Sequence, residues 1–218
     1  MRYVLPLVLL FGCAKTSGPP PVTGTADPLI QRPTPAPPVS DPMAHAKKLF
    51  GQKCAGCHLG SRRVGPRLGP GYNGRVWING LLLNPGGDEY FGRTKIRGMK
   101  PVSQRGDDLD ALVELVYSQT GAADVRADVA QRGRAVFDSA GCKDCHALDG
   151  ATAGKGPNLG GRGSLDGLTA YIAEPGHARW FGAANQMPRF GDKLSTADRR
   201  ALARYILSWQ RGATTLPR

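Results

Sequence analysis

One five-residue pattern stands in the chain twice, as Cys-Ala-Gly-Cys-His at 54–58 and Cys-Lys-Asp-Cys-His at 142–146. On a helical turn, positions i, i+3 and i+4 share a face, so two thiols and an imidazole are presented together. Few chemistries use that arrangement. A zinc ribbon would have to gather all four cysteines, yet 84 residues separate Cys57 from Cys142, far beyond the usual ligand spacing. A thioredoxin-type redox site needs a strand-rich βαβ setting and has no use for a histidine after each pair.

What remains is covalent attachment of a c-type haem, in which both thiols reach the vinyl groups along one porphyrin edge and the histidine meets the iron. Duplication of the motif implies two such groups. A covalently held porphyrin also answers a stability problem, because segments of 79 and 97 residues rich in glycine and proline sit near the lower limit for a self-sufficient core.

The repeat extends beyond the motif. An offset of 88 residues carries Cys54 onto Cys142 and Met99 onto Met187, so each methionine lies 41 residues after its own histidine. Gly-Pro-Arg-Leu-Gly at 65–69 answers Gly-Pro-Asn-Leu-Gly at 156–160, and the stretch at 85–92 answers the one at 175–182. A period of this size means a duplicated domain. Each copy begins with a helical pattern, through Ala46, Leu49 and Phe50 in the first and Val129, Gly133, Val136 and Phe137 in the second. A short middle helix is predicted near 76–84 and near 164–174, and each copy closes with an amphipathic helix. The first closing helix runs through Leu109, Leu112, Val113 and Val116 and stops at Gly121. The second opens with Ser195-x-x-Asp198 and aligns Leu202, Tyr205, Ile206 and Trp209. No run alternates as a strand does, so the predicted class is mostly α.

Residues 1–12 combine one arginine with an apolar run from Val4 to Phe11 that is too short to span a bilayer, which is the pattern of an export signal. Leu10, Gly12 and Cys13 resemble a lipoprotein processing site, with Phe11 departing from the usual small residue; the alternative is an ordinary secretory signal with an incidental cysteine. Residues 13–42 follow as a lipid-anchored linker. Nine of the chain's eighteen prolines fall in 14–42, a composition that cannot bury a core and favours an extended spacer.

With these residues in view, both halves resemble class I c-type cytochromes, and the whole resembles tandem di-haem cytochromes c. The resemblance implies domains at 43–121 and 122–218, each a few helices around one covalent haem. It assigns Cys54, Cys57 and His58 to the first haem, Cys142, Cys145 and His146 to the second, and Met99 and Met187 as distal iron ligands. It further implies that Pro66 and Pro157 orient the two histidines. Tyr90 and Trp180 hold matching positions ahead of the methionine loops and are expected against a haem edge. His45 and His177 are the spare imidazoles, and either is an alternative distal ligand.

A six-coordinate histidine/methionine iron exchanges electrons and does little bond-making chemistry. The expected function is therefore electron transfer in a bacterial respiratory chain, on the periplasmic side of the envelope, and the C-terminal half resembles the di-haem subunits of quinol-oxidising cytochrome b complexes and terminal oxidases. The alternative is a haem enzyme such as a di-haem peroxidase, which needs one openable iron. Formal charge is +12 in total, divided as +1, +6 and +5 over 1–42, 43–121 and 122–218. Such a surface suits donors and acceptors with acidic docking faces, and the resemblance implies cytochrome b or oxidase subunits among them. Nucleic acid is not an expected partner, since the basic residues are scattered and no recognition helix stands out.

Overall fold

Asp41 starts the first helix. Its carboxylate accepts the Met43 N–H at 3.0 Å, and Pro42 takes the first helical position, where a missing N–H costs nothing. The boundary expected at 43 therefore moves two residues back, because Asp-Pro reads as a cap followed by a first turn rather than as the end of a linker. The computed structural model describes residues 41–94, 96 and 99–210. The segment expected to be an export signal, Cys13 and the expected linker up to residue 40 lie outside the described residues.

Eight α-helices and two 3₁₀ turns make up the described chain, and no strand occurs among the described residues. They are α1 Pro42–Lys53, α2 Ala55–His58, α3 Arg75–Leu83, α4 Asp88–Phe91, α5 Gly106–Ser118, α6 Ala127–Ser139, α7 Leu165–Ala173 and α8 Thr196–Ser208. The 3₁₀ turns cover Cys142–Asp144 and Gly182–Ala184. The predicted cap of α8 is present: Ser195 Oγ accepts the Asp198 N–H at 3.0 Å. No described helix is long and apolar enough to cross a membrane.

The packing departs from two contiguous domains. Helix α1 lies against α8, and α5 lies against α6, while the middle helices stay with the closing helices of their own repeats, α3 on α5 and α7 on α8. One core joins Leu49, Phe50 and Leu68 from the first repeat to Leu168, Ile172, Phe190, Leu202, Ala203 and Ile206 from the second. The other joins Ile78, Leu82, Leu109, Leu112, Val113, Leu115 and Tyr117 to Phe137. Segments 43–121 and 122–218 are thus not the packing units; each core takes its opening helix from one repeat and its closing helix from the other.

Small residues permit these crossings. A Cβ on Gly133 of α6 would stand 2.0 Å from the Ala111 carbonyl oxygen of α5, so the two helices meet where α6 has no side chain. At the corresponding place in α1, Ala46 is buried. Aromatic edges fill the α1/α8 seam, with Phe50 facing Tyr205 at 5.6 Å and Trp209 at 5.2 Å between ring centroids. His45 of α1 adds a 2.7 Å hydrogen bond to Asp198 at the start of α8, which gives this spare imidazole a surface packing role.

A buried carboxylate locks the α5/α6 corner. Glu114 of α5, 0% exposed, accepts the Arg75 guanidinium at 2.7 and 2.8 Å. It also accepts the Arg126 backbone N–H at 2.7 Å and the Arg126 guanidinium at 2.7 Å. Burial alone would raise its pKa, but these donors win and hold it at about 2, below an ordinary 4.5. The network therefore stabilises the fold fully above the ordinary value and ceases to do so as pH falls from 4.5 toward 2. Glu114→Ala should cost about 3–5 kcal/mol, the usual result of breaking a buried ion pair. Denaturant titrations at stepped pH will show that loss near neutrality, and will show the difference between variant and parent shrinking below pH 4.5.

Candidate haem sites

Each histidine is placed by its own proline. In the first motif α1 runs into Cys54, and the turn Ala55–His58 brings the imidazole under the loop at 64–68. His58 Nδ1 donates to the Pro66 carbonyl at 2.9 Å, and His146 Nδ1 donates to the Pro157 carbonyl at 2.8 Å. A carbonyl can only accept, so the proton sits on Nδ1 and Nε2 keeps its lone pair for a metal. Burial holds both rings below the ordinary histidine value, against the opposing pull of those hydrogen bonds. The neutral form a metal ligand needs is thereby favoured.

The glycine before each proline sets the clearance. A Cβ on Gly65 would lie 2.8 Å from His58 Cε1, and one on Gly156 would lie 2.6 Å from His146 Cε1. Further bonds hold the proximal loops in place. The Arg67 N–H donates to the Glu89 carbonyl at 3.0 Å, and the equivalent Asn158 N–H donates to Arg179 at 2.7 Å.

A cavity opens beside His58. It holds about 1210 Å³ of non-atom space counted out to its mouth, open solvent included. Cys54, Cys57, His58 and Met187 all lie on its wall, with Tyr90, Tyr171 and Phe181 among the aromatic lining. Neither cysteine is in a disulfide. Burial, with Cys57 nearby, pushes the Cys54 thiol up to about 11, so this thiol is protonated near neutral pH. Trp77 also lines the cavity, and its indole N–H is buried without a partner. Arg162 joins the lining and stacks on Phe181 at 4.9 Å; its charge also contributes to depressing His146. Thiols at one edge, an imidazole, a thioether, aromatic walls and an orphaned donor for an acidic substituent together fit a haem. Bare metal fits less well, since no cluster of three or more His, Cys, Asp or Glu suited to a metal ion occurs among the described residues.

The methionines are not placed as their equal spacing suggested. Met187, expected with His146, shares the His58 cavity. Met99, expected with His58, is 36% exposed and is not among the residues lining that cavity. The cause is the helix exchange: α8 carries the Met187 loop to α1, whereas α5 follows Met99 to α6. Asn185 fixes the Met187 loop by accepting the Met187 N–H at 2.8 Å and donating to Tyr171 Oη at 2.8 Å and to the Pro175 carbonyl at 2.9 Å. Cys142, Cys145 and His146 stand together in the second motif, with Cys142 against the α5/α6 core.

Of the two matched aromatics, Tyr90 lines the cavity. Trp180 is buried against Tyr171, at 5.7 Å between centroids. His177 is exposed and its Nδ1 accepts the Arg179 N–H at 3.2 Å. Trp77 and Arg162 went unremarked in the sequence, although a tryptophan opening a middle helix and an arginine just after Gly-Pro-x-Leu-Gly were the available signals.

Comparison with known proteins adds one match. Residues 130–210 match the family model for Cytochrome c. That stretch contains Cys142, Cys145, His146 and Met187, and a cytochrome c domain is a covalent haem c module that transfers electrons. The first motif lies outside the matched stretch. No curated protein and no solved structure matches the chain.

Filling the glycine clearance should disturb the imidazole directly. Gly156→Ala and Gly65→Ala are each expected to weaken histidine ligation at their own site by about tenfold or more, the scale for a disturbed outer-shell contact. Optical spectra of the ferric variants will show a high-spin fraction missing from the parent.

Proposed function

We propose that the chain is a di-haem electron-transfer protein, with one haem on Cys54 and Cys57 under His58 and a second on Cys142 and Cys145 under His146. Met99 and Met187 supply the distal ligands. The observation that carries this reading is the duplicated motif with the same Nδ1-to-proline bond in both copies, at 2.9 and 2.8 Å. One copy lies inside the cytochrome c match, and the other has the same local chemistry.

When bound, the iron supplies a reversible one-electron couple. The chain's own residues do the rest. The cysteine thiols form the thioethers that hold the group, and the Pro66 and Pro157 carbonyls keep each Nε2 aimed and unprotonated. Thioether ligation raises the potential relative to a second imidazole and leaves no site for substrate. Tyr90, Tyr171 and Phe181 keep the cavity apolar, which limits water at the iron and the reorganisation that would slow electron exchange.

In the same reading Cys13 carries a lipid anchor and the proline-rich segment spaces the globular part away from the periplasmic face of a membrane. Donor and acceptor dock through acidic surfaces, as cytochrome b or oxidase subunits of a respiratory chain would. The formal charge of +12, reduced by haem propionates, supports steering of that kind. A peroxidase would instead need an iron whose sixth position opens.

Haem and iron assays on purified protein should give two of each per chain, falling to one when Cys54 and Cys57 are both changed to serine. The native ferrous protein should not bind carbon monoxide, and electron transfer to an acidic partner should slow as ionic strength rises. One haem per chain, or rapid peroxide turnover, contradicts the reading.

A further inference from the structure

The cross-repeat packing has a consequence for the irons themselves. Equivalent loops of the two repeats pass side by side where the chain crosses between cores. At the first crossing, the Gly71 N–H donates to the Trp209 carbonyl at 2.7 Å, and Gln210 Nε2 donates to the Asn73 carbonyl at 3.2 Å. At the second, the Gly161 N–H donates to Gln119 Oε1 at 3.4 Å. The two crossings touch: a Cβ on Gly163 would lie 2.5 Å from Asn73 Nδ2. Up to Leu68 the first repeat packs in the α1/α8 core, and from Ile78 it packs in the α5/α6 core. The second repeat does the reverse, with Leu159 against the α5/α6 core and Leu168 in the other.

Phe91 and Phe181, which hold the same place in the two repeats, meet edge to face at 6.2 Å between centroids. Contact between equivalent residues is what an approximate two-fold relation produces, and it makes the exchange reciprocal.

We propose that the two haem sites exchange their distal ligands, so that the haem under His58 is ligated by Met187 and the haem under His146 by Met99. This rests on the histidine/methionine reading above and specifies its pairing. For the first site the observation is direct, since Met187 and His58 line one cavity. For the second, the chain after Met99 goes where His146 is: the Val102 N–H donates to the Leu82 carbonyl at 3.0 Å. Val102 and Cys142 both pack on the α5/α6 core. Neither repeat then completes a haem site alone, and each iron joins a segment of one repeat to a segment of the other.

The test uses full-length protein with one haem removed at a time. In Cys142→Ser/Cys145→Ser protein, which keeps the haem on Cys54 and Cys57, Met187→Leu should abolish the ferric thioether charge-transfer band and open the ferrous iron to carbon monoxide, while Met99→Leu changes neither. In Cys54→Ser/Cys57→Ser protein the two leucine variants should trade effects. Loss of the band in the opposite variant of each pair overturns the exchange and leaves histidine/methionine ligation standing. A band unaffected by either variant overturns the ligation reading itself, and the exchange with it.

If a one-haem protein does not fold, the intact di-haem protein can carry a protease site inserted between Ala122 and Ala123. After cutting, exchanged repeats stay in one particle with both haems on size-exclusion chromatography. Release of two one-haem fragments overturns the proposal.

Discussion

Helix α5 has α6 as its partner, and the rest of the architecture follows from that choice. Only residues 119–126 connect them, and a short connection makes consecutive helices antiparallel neighbours. Glu114 reinforces the corner by holding Arg75 and Arg126 at once, and Gly133 lets the backbones meet. With the opening helix of the second repeat already occupied by α5, α8 has one equivalent apolar face left to cover, and it belongs to α1. Two similar units joined by a short link thus pair across the repeat, burying the same kinds of surface they would have buried within it.

The two cysteine–histidine turns are insulated from this rearrangement because they are local. The turn from Cys54 to His58 and the Gly-Pro loop eight residues later form one small unit, held by the Nδ1-to-carbonyl bond, and the second copy repeats it. What the exchange alters is the distal wall. Tyr171 and Phe181 of the second repeat are delivered to the histidine of the first, so the aromatic lining of the His58 cavity mixes them with Tyr90. Arg162 then acts in both directions, lining one histidine's cavity while its charge reaches the other.

Much of this could be read from the residues alone, for reasons that differ by element. The helices, the Ser195 cap and the paired motifs depend on neighbours close in sequence, so spacing and residue type suffice, whereas the prolines over the histidines were implied by the family resemblance. Pairing across the repeat is invisible to periodicity, because α1 and α6 offer similar apolar stripes and so do α5 and α8. The one sequence signal bearing on it was the brevity of 119–126. Glu114 was equally hidden: it sits within the apolar run Leu112–Val116, and its partners Arg75 and Arg126 are 39 and 12 residues away. The helix start at Asp41-Pro42 was legible in principle but masked by the proline-rich stretch that runs into it.

The two seams also differ in the chain length they must close. Eight residues separate α5 from α6, whereas 142 lie between Lys53 and Thr196. Loop-closure entropy makes the longer connection costlier by about 2.5 kcal/mol, scaling as three-halves RT times the logarithm of length. The hairpin can therefore nucleate while most of the polypeptide is still disordered, but α1 must wait for the far end of the chain. The pocket at His58 is in this sense a late-assembling one, whose first cysteine pair is synthesised well before the segment that closes over it.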